Sequence, residues 1–248
     1  MSDYLLLGAI GFMAQLVDGA LGMAFGVIST TALLSFGIAP AQASAIVHTA
    51  EIFTTGASAA SHIYNRNVDW RLVVRLGVAG VLGAVLGAWI LSNLDASAVR
   101  PYISAYLLLV GIFILLRAWR MAPERDAPTP WVGPIGFVAG FLDASGGGGW
   151  GPVATSTLIG SGHTPRMTVG SVNTTEFFVT TAAATTFFVE LGASPWKELL
   201  ALVIGGLLAA PLGGWAVKYI PARVLMLSVG CLVIALSAWQ IVRALKLV

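Results

Sequence analysis

Apolar residues gather in ten stretches, at 4–17, 23–36, 41–63, 72–92 and 101–119, and again at 131–142, 152–160, 166–189, 198–217 and 222–245. Runs such as 77–92 and 102–116 hold no charged residue at all, which soluble core helices seldom sustain. The pattern predicts an all-α membrane protein. Between the two sets of five lies RMAPERDAPTP at 120–130, polar and proline-marked, which reads as a surface linker. The organisation expected is a first transmembrane repeat at 1–119, the linker at 120–130 and a second repeat at 131–248.

The two sets match residue by residue. Sliding the chain by 125 positions without a gap pairs Asp18, Gly22, Gly26, Thr30, Leu33, Gly37 and Pro40 with Asp143, Gly147, Gly151, Thr155, Leu158, Gly162 and Pro165. In the same register Val47, Thr49, Glu51, Phe53, Thr55, Ala57 and Ala59 meet Val172, Thr174, Glu176, Phe178, Thr180, Ala182 and Ala184. Chance in so biased a composition gives roughly four identities over this span, so the chain is internally duplicated. An odd number of segments per half puts the linker on the face opposite the N-terminus, and the second half starts upside down: two inverted-topology repeats.

Placing the linker inside collects Arg66, Arg71, Arg75, Arg117, Arg120, Arg125, Arg166, Lys218 and Arg223 on that face and leaves Arg100, Lys197, Arg243 and Lys246 opposite. The excess predicts a multi-pass protein of the cell (inner) membrane with a cytoplasmic linker and both termini external. Trp70, Trp119, Trp131, Trp196 and Trp239 fall near segment ends, as interfacial anchors do.

Composition removes several functions. Only 10% of residues are charged, against about 25% in soluble domains, and a net charge of +2 without a basic cluster excludes nucleic acid as a partner. Cys231 is the single cysteine, so neither an intrachain disulfide nor a cysteine metal cluster forms, and it reads as packing. No cofactor is expected. Ser2 and Asp3 stand where a secretory signal would be basic, so the first segment is expected to be retained.

The first two segments of each half are short. Fourteen helical residues span about 21 Å, against a hydrocarbon core of about 30 Å, so these pieces are expected to be broken or re-entrant helices meeting near mid-membrane. Between them lie the loops from Asp18 to Gly26 and from Asp143 to Gly151. Their glycines weaken helix and let backbone approach a ligand, and backbone N–H groups at the following helix start offer an anion site without a cation. Candidate substrate contacts are Gly22, Gly26, Gly146, Gly147, Gly148, Gly149 and Trp150. Asp18 and Asp143 are candidates to cap those helices or to line the pathway.

Glu51 and Glu176 each lie eleven residues beyond Pro40 and Pro165, at about half the hydrocarbon depth. An unpaired carboxylate there is costly, so both are expected to face protein or water and to bind and release protons. His48 and Asn173, one turn away, can donate to an oxyanion or hold the carboxyl group, and Thr49 and Thr174 add hydroxyls.

The loop Asp18-Gly-Ala-Leu-Gly-Met-Ala-Phe-Gly26, the Gly37-Ile-Ala-Pro40 turn, the glycine run before Pro152, Gly162-His-Thr-Pro165 and the two halves around a polar linker together resemble the TauE/SafE family of sulfite and organosulfonate exporters. The resemblance covers nearly the whole chain. It implies a secondary transporter of small sulfur-containing anions such as sulfite, thiosulfate, sulfoacetate or other sulfonates, with a glycine-rich loop of each half near the substrate. Possible proton coupling, alternating access around a central anion site and a homo-oligomer fit the same reading. Two other readings stay open: a carrier for Mg²⁺ or Ca²⁺ using the buried acids, and an intramembrane enzyme in which two aspartates share a proton. No zinc-protease or serine-nucleophile motif supports the enzyme, and no catalytic residue or fixed metal site is assigned.

Overall fold

The computed structural model describes residues 2–119, 131–193, 195–219 and 222–244; the linker at 120–130 lies outside the described residues. Within them every element is a helix: α1 (Ser2–Leu21), α2 (Phe25–Ser35), α3 (Pro40–Tyr64), α4 (Trp70–Ser92), α5 (Ala96–Trp119) and α6 (Val132–Gly146), then a π-helical turn (Gly151–Thr155) running into α7 (Ser156–Gly160), then α8 (Pro165–Leu191), α9 (Trp196–Tyr219) and α10 (Ala222–Ala244).

Local chemistry sets the ends. Pro40 and Pro165 open α3 and α8, where a missing N–H costs nothing, after extended Ala39 and Thr164. Asp69 starts α4 by accepting from Arg71 N at 2.9 Å and Leu72 N at 3.3 Å. Asp95 does the same for α5: its carboxylate accepts from the Ser97 hydroxyl and from the backbone N–H groups of Ser97 and Ala98, and these bonds hold its carboxyl below the usual range. This cap corrects the reading of Pro101 as a segment start. Helix α5 begins five residues earlier and carries Pro101 inside it.

The distribution of side chains is reversed relative to a soluble domain. Along α4, Val74, Val78 and Leu82 are 59%, 63% and 61% exposed, a stripe at helical spacing facing outward. The interior instead holds Ser44, His48, Glu51, Thr54 and Thr55 of α3, and Ser171, Asn173, Thr174, Thr175, Glu176 and Thr180 of α8. Such an arrangement is stable where the surroundings are hydrocarbon. The helices at Trp70–Ser92, Ala96–Ala118 and Met226–Ala244 are long and apolar enough to cross a membrane, whereas Tyr4–Gly19, Phe25–Ser35 and Val132–Gly146 are shorter.

Helix α1 packs along α9 and α6 along α4, while α3 lies against α8 and α5 against α10. The two outer pairs touch backbone to backbone. A Cβ at Gly205 would collide with the Gly8 carbonyl, and one at Gly140 with the Gly80 carbonyl, so small residues fix these crossings. Helices α3 and α8 occupy the middle, and the breaks after α1 and α6 open onto them.

Candidate functional site

Two helix breaks form the centre. Gly22 and Gly147 take left-handed backbone, φ 66° and 73°, and their N–H groups return to the carbonyls of Asp18 at 2.6 Å and Asp143 at 2.7 Å. Each glycine thus ends a helix in the manner of a left-handed C-cap. The first break is 22–24 and the second 147–149, shorter than the sequence suggested, because α1 and α6 run on through Asp18 and Asp143. Trp150 then leads into the π-helical turn.

The breaks pack on each other. A Cβ at Gly148 would lie 2.6 Å from Val27 N, and one at Gly151 would lie 2.5 Å from Met23 Cα. The Thr155 hydroxyl donates to Gly22 O at 3.0 Å, and the matched Thr30 sits against Gly147. These contacts give a physical reason for the repeated Gly22/Gly147, Gly26/Gly151 and Thr30/Thr155 identities: each half supplies the surface that the other half's loop needs.

The aspartates reach across the breaks. Asp143 Oδ1 accepts from Gly149 N at 2.7 Å and Trp150 N at 3.0 Å, and Asp18 Oδ1 lies 3.5 Å from Phe25 N. The N–H groups expected to be open for an anion are therefore taken up by the protein's own carboxylates. The cause is the left-handed glycine four residues after each aspartate, which turns the chain so that the next helix start faces that side chain.

His48, buried on α3, ties this group together. Its Nδ1 lies 2.8 Å from the Ser44 carbonyl and its Nε2 lies 3.2 Å from Asp143 Oδ2. Ser44 Oγ donates to Ala144 O at 2.8 Å, so α3 and α6 are joined twice. Glu51, one turn on, is 2% exposed, and its Oε2 has no hydrogen-bond partner. Its Oε1 would lie 3.2 Å from a Cβ at Gly26, as would Gly148 Cα, which sets Glu51 at the crossing of the loops. Ligand atoms of His48, Glu51 and Asp143 fall within 4.8 Å of one another and could hold a metal ion.

On α8, Asn173 occupies the position matching His48. Its Nδ2 donates to Ser58 Oγ at 3.0 Å, while Oδ1 is buried without a partner beside Gly22. Glu176 is buried and its Oε2 likewise has no partner. Thr49 and Thr174 donate to the carbonyls of Ala45 and Gly170, one turn back on their own helices, so only their lone pairs face neighbours. Trp150 is fully buried, donates to Val172 O at 3.2 Å and packs against Gly80, which makes it a wedge between α4 and α8. Gly146 is the last residue of α6, packed against the ring of Tyr106.

Sequence reasoning missed Ser44 and Tyr106. Ser44 stood one turn before His48 on the same helix face, a spacing that could have revealed it. Tyr106, whose hydroxyl donates to Gly148 O at 3.4 Å, lies in an apolar run with nothing to mark it.

Residues 7–239 match the family described as "Sulfite exporter TauE/SafE". The chain is 42% identical over 247 residues to "Probable membrane transporter protein YtnM" of Bacillus subtilis (strain 168), covering 96% of this chain and 82% of that protein. It is 25% identical over 218 residues to a "Probable membrane transporter protein" of Haemophilus influenzae, covering 84% and 82%. It is 26% identical over 214 residues to "Probable membrane transporter protein ORF9" of a Sinorhizobium species, covering 82% and 78%. No solved structure matches. The match along nearly the whole chain, together with the lipid-facing helices and buried polar centre, places this protein in the TauE/SafE family of membrane transporters, not among enzymes.

Proposed function

We propose that this protein is a secondary transporter, working as an exporter, for small sulfur-containing anions such as sulfite, thiosulfate and sulfoacetate or other sulfonates. The observation that carries the reading is the meeting of two glycine loops, one from each half, beside Asp18, Glu51, Asp143, Glu176 and His48. Residues 1–119 and 131–248 act as inverted repeats that rock about this centre, joined by a cytoplasmic linker at 120–130, with both termini outside the inner membrane. The exchange of packing partners, α1 on α9 and α6 on α4, supports that symmetry. The name of the matched family supports the substrate class.

Among the described residues no lysine or arginine is buried, so an anion reaching this centre meets carboxyl groups and His48. Like charges there repel strongly because the surroundings screen little. Protons on Glu51 and Glu176 remove that repulsion, which makes anion and proton move together. In this reading the anion's contacts are Gly22, Gly26, Gly146 to Gly149, Trp150, His48, Thr49, Asn173 and Thr174, reached when the packed loops part.

Flux of radiolabelled sulfite, thiosulfate and sulfoacetate into proteoliposomes tests the reading, and absence of flux for all three would end it. Glu176→Gln is expected to keep substrate-dependent stabilisation but to flatten the pH dependence of transport. An unaltered pH profile removes Glu176 from coupling. The proximity of His48, Glu51 and Asp143 favours one second reading, a divalent-cation carrier; cation flux without anion flux would select it.

A further inference from the structure

The far end of α2 gathers two arginines around one small cavity. Arg100, near the start of α5, and Arg243, in the last turn of α10, line a space of about 250 Å³ together with Ser35, Gln240 and Trp239. Gln240 builds its floor. It is buried and bonded at both ends: Nε2 donates to Thr31 O and Ser35 Oγ, each at 3.0 Å, and Oε1 accepts from Ser104 Oγ at 2.9 Å. These bonds tie α2, α5 and α10 together and hold the cavity in shape. Trp239 is exposed at the rim, as indoles are at the level of lipid headgroups.

Charge decides what such a space takes. Arg100 is half-buried, and its Nη2 donates to Leu34 O at 2.6 Å and Ile38 O at 3.4 Å, carbonyls at and just beyond the end of α2. One nitrogen of its fork is thereby used. Arg243 is exposed, and among the described residues neither arginine is paired with a carboxylate. The C-terminal ends of α2 and α10 each supply roughly half a negative charge, against two guanidinium charges that persist at any ordinary pH. About one positive charge is left over, which a singly charged anion balances. Guanidinium forks match the oxygens of sulfonate and phosphate groups two at a time.

We propose that Arg100 and Arg243 form a binding site for a singly charged oxyanion, either a sulfonate or the phosphodiester of a lipid headgroup. The site is separate from the glycine-loop centre. Ser35 closes the 11-residue helix α2, which starts at the loops, so the cavity lies about 15 Å from them. In the register of the duplication, Leu225, Leu115 and Ala118 stand where Arg100, Gln240 and Arg243 do, so the repeat does not account for it. In the proposed function this face is the outer one, and the site receives a sulfonate as it leaves a centre lined by carboxyl groups. That use, though not the binding, rests on the proposed function.

Arginine protection tests the site without any transport. Phenylglyoxal adds to accessible guanidinium groups, and mass spectrometry reads each position. The full chain is held in a maltoside detergent, which carries neither phosphate nor sulfonate. Methanesulfonate, chloride at equal ionic strength and short-chain phosphatidylglycerol are then titrated in turn. Methanesulfonate should slow modification of Arg100 and Arg243 by about tenfold at about nine times its Kd, with chloride ineffective and the exposed Arg75 of α4 unaffected. Protection by phosphatidylglycerol alone makes the occupant a lipid phosphodiester and still supports the oxyanion site.

Because Arg243 is exposed, Arg243→Gln should fold normally, yet protection of Arg100 should fall several-fold. Arg100→Lys keeps a donor for Leu34 O but loses the fork, and it should weaken the protection of Arg243 in the same way. Protection by neither ligand, equal slowing at Arg75, or full protection of Arg100 in Arg243→Gln overturns the site. Protection in a protein that moves no sulfur anion counts against the transport reading and leaves the site standing. Flux without protection does the reverse.

Discussion

Gly147 shows how little freedom a single position at the centre has. Its φ of 73° is a region that costs a residue with a Cβ about 1–3 kcal/mol, and a Cβ there would also run into the side chain of Thr30. Gly147→Ala should therefore lower stability by both terms, read as a drop in unfolding temperature in a fixed detergent. Adding Thr30→Ala should recover the steric part and leave the backbone part, so the double variant lies between the single Gly147→Ala variant and the unchanged protein. If Thr30→Ala restores nothing, the two loops do not press on each other as described.

At this scale much of the centre was legible. Gly22, Gly147, Glu51 and Glu176 stood out because backbone strain and buried charge leave marks that survive duplication. The occupants of the helix-start N–H groups did not. Whether Asp143 points at Gly149 and Trp150 or into open space is decided by the turn at Gly147, and four glycines in a row do not reveal which of them turns.

Helix crossings explain why glycine recurs along α1, α4, α6 and α9. Lipid gives little hydrophobic drive for helix association, so close backbone contact has to supply it. Gly140 rests on the Gly80 carbonyl, while Gly133 on the same helix has nothing within 4 Å of the place its Cβ would take. Gly140→Ala should destabilise by about 1–3 kcal/mol through overpacking, whereas Gly133→Ala should be neutral to within about 0.5 kcal/mol. Equal effects in a denaturation series would mean that α4 and α6 do not cross at Gly80. The segments themselves were readable from hydropathy, since each apolar stretch became a helix, but their ends shifted where polar residues cap. Asp95 carried α5 back to Ala96, and Asp18 and Asp143 were absorbed into helices read as ending before them. The π-helical turn at Gly151–Thr155 left no pattern, because a widened turn keeps the same apolar composition as the α-helix around it.

In the proposed arrangement the relation between the halves follows from parity. If α1 and α2 each cross the bilayer, five segments separate the N-terminus from the linker; if they enter and return together, three do. Both counts are odd, so the proposed arrangement puts the linker on the face opposite residue 2 and inverts the second half relative to the first. The packing shows a pseudo-two-fold exchange, α1 meeting α9 while its counterpart α6 meets α4, the counterpart of α9; the proposal lays that axis in the membrane plane. Cysteine accessibility measures the outcome directly. In a Cys231→Ser background, Thr129→Cys should react with a membrane-impermeant thiol reagent only from the cytoplasmic side, and Ser2→Cys only from the outside. Labelling of both from one side would make the halves parallel. The loops from α1–α2 and α6–α7 would then enter from the same face, and rocking between opposed halves could not expose their meeting point to each side in turn.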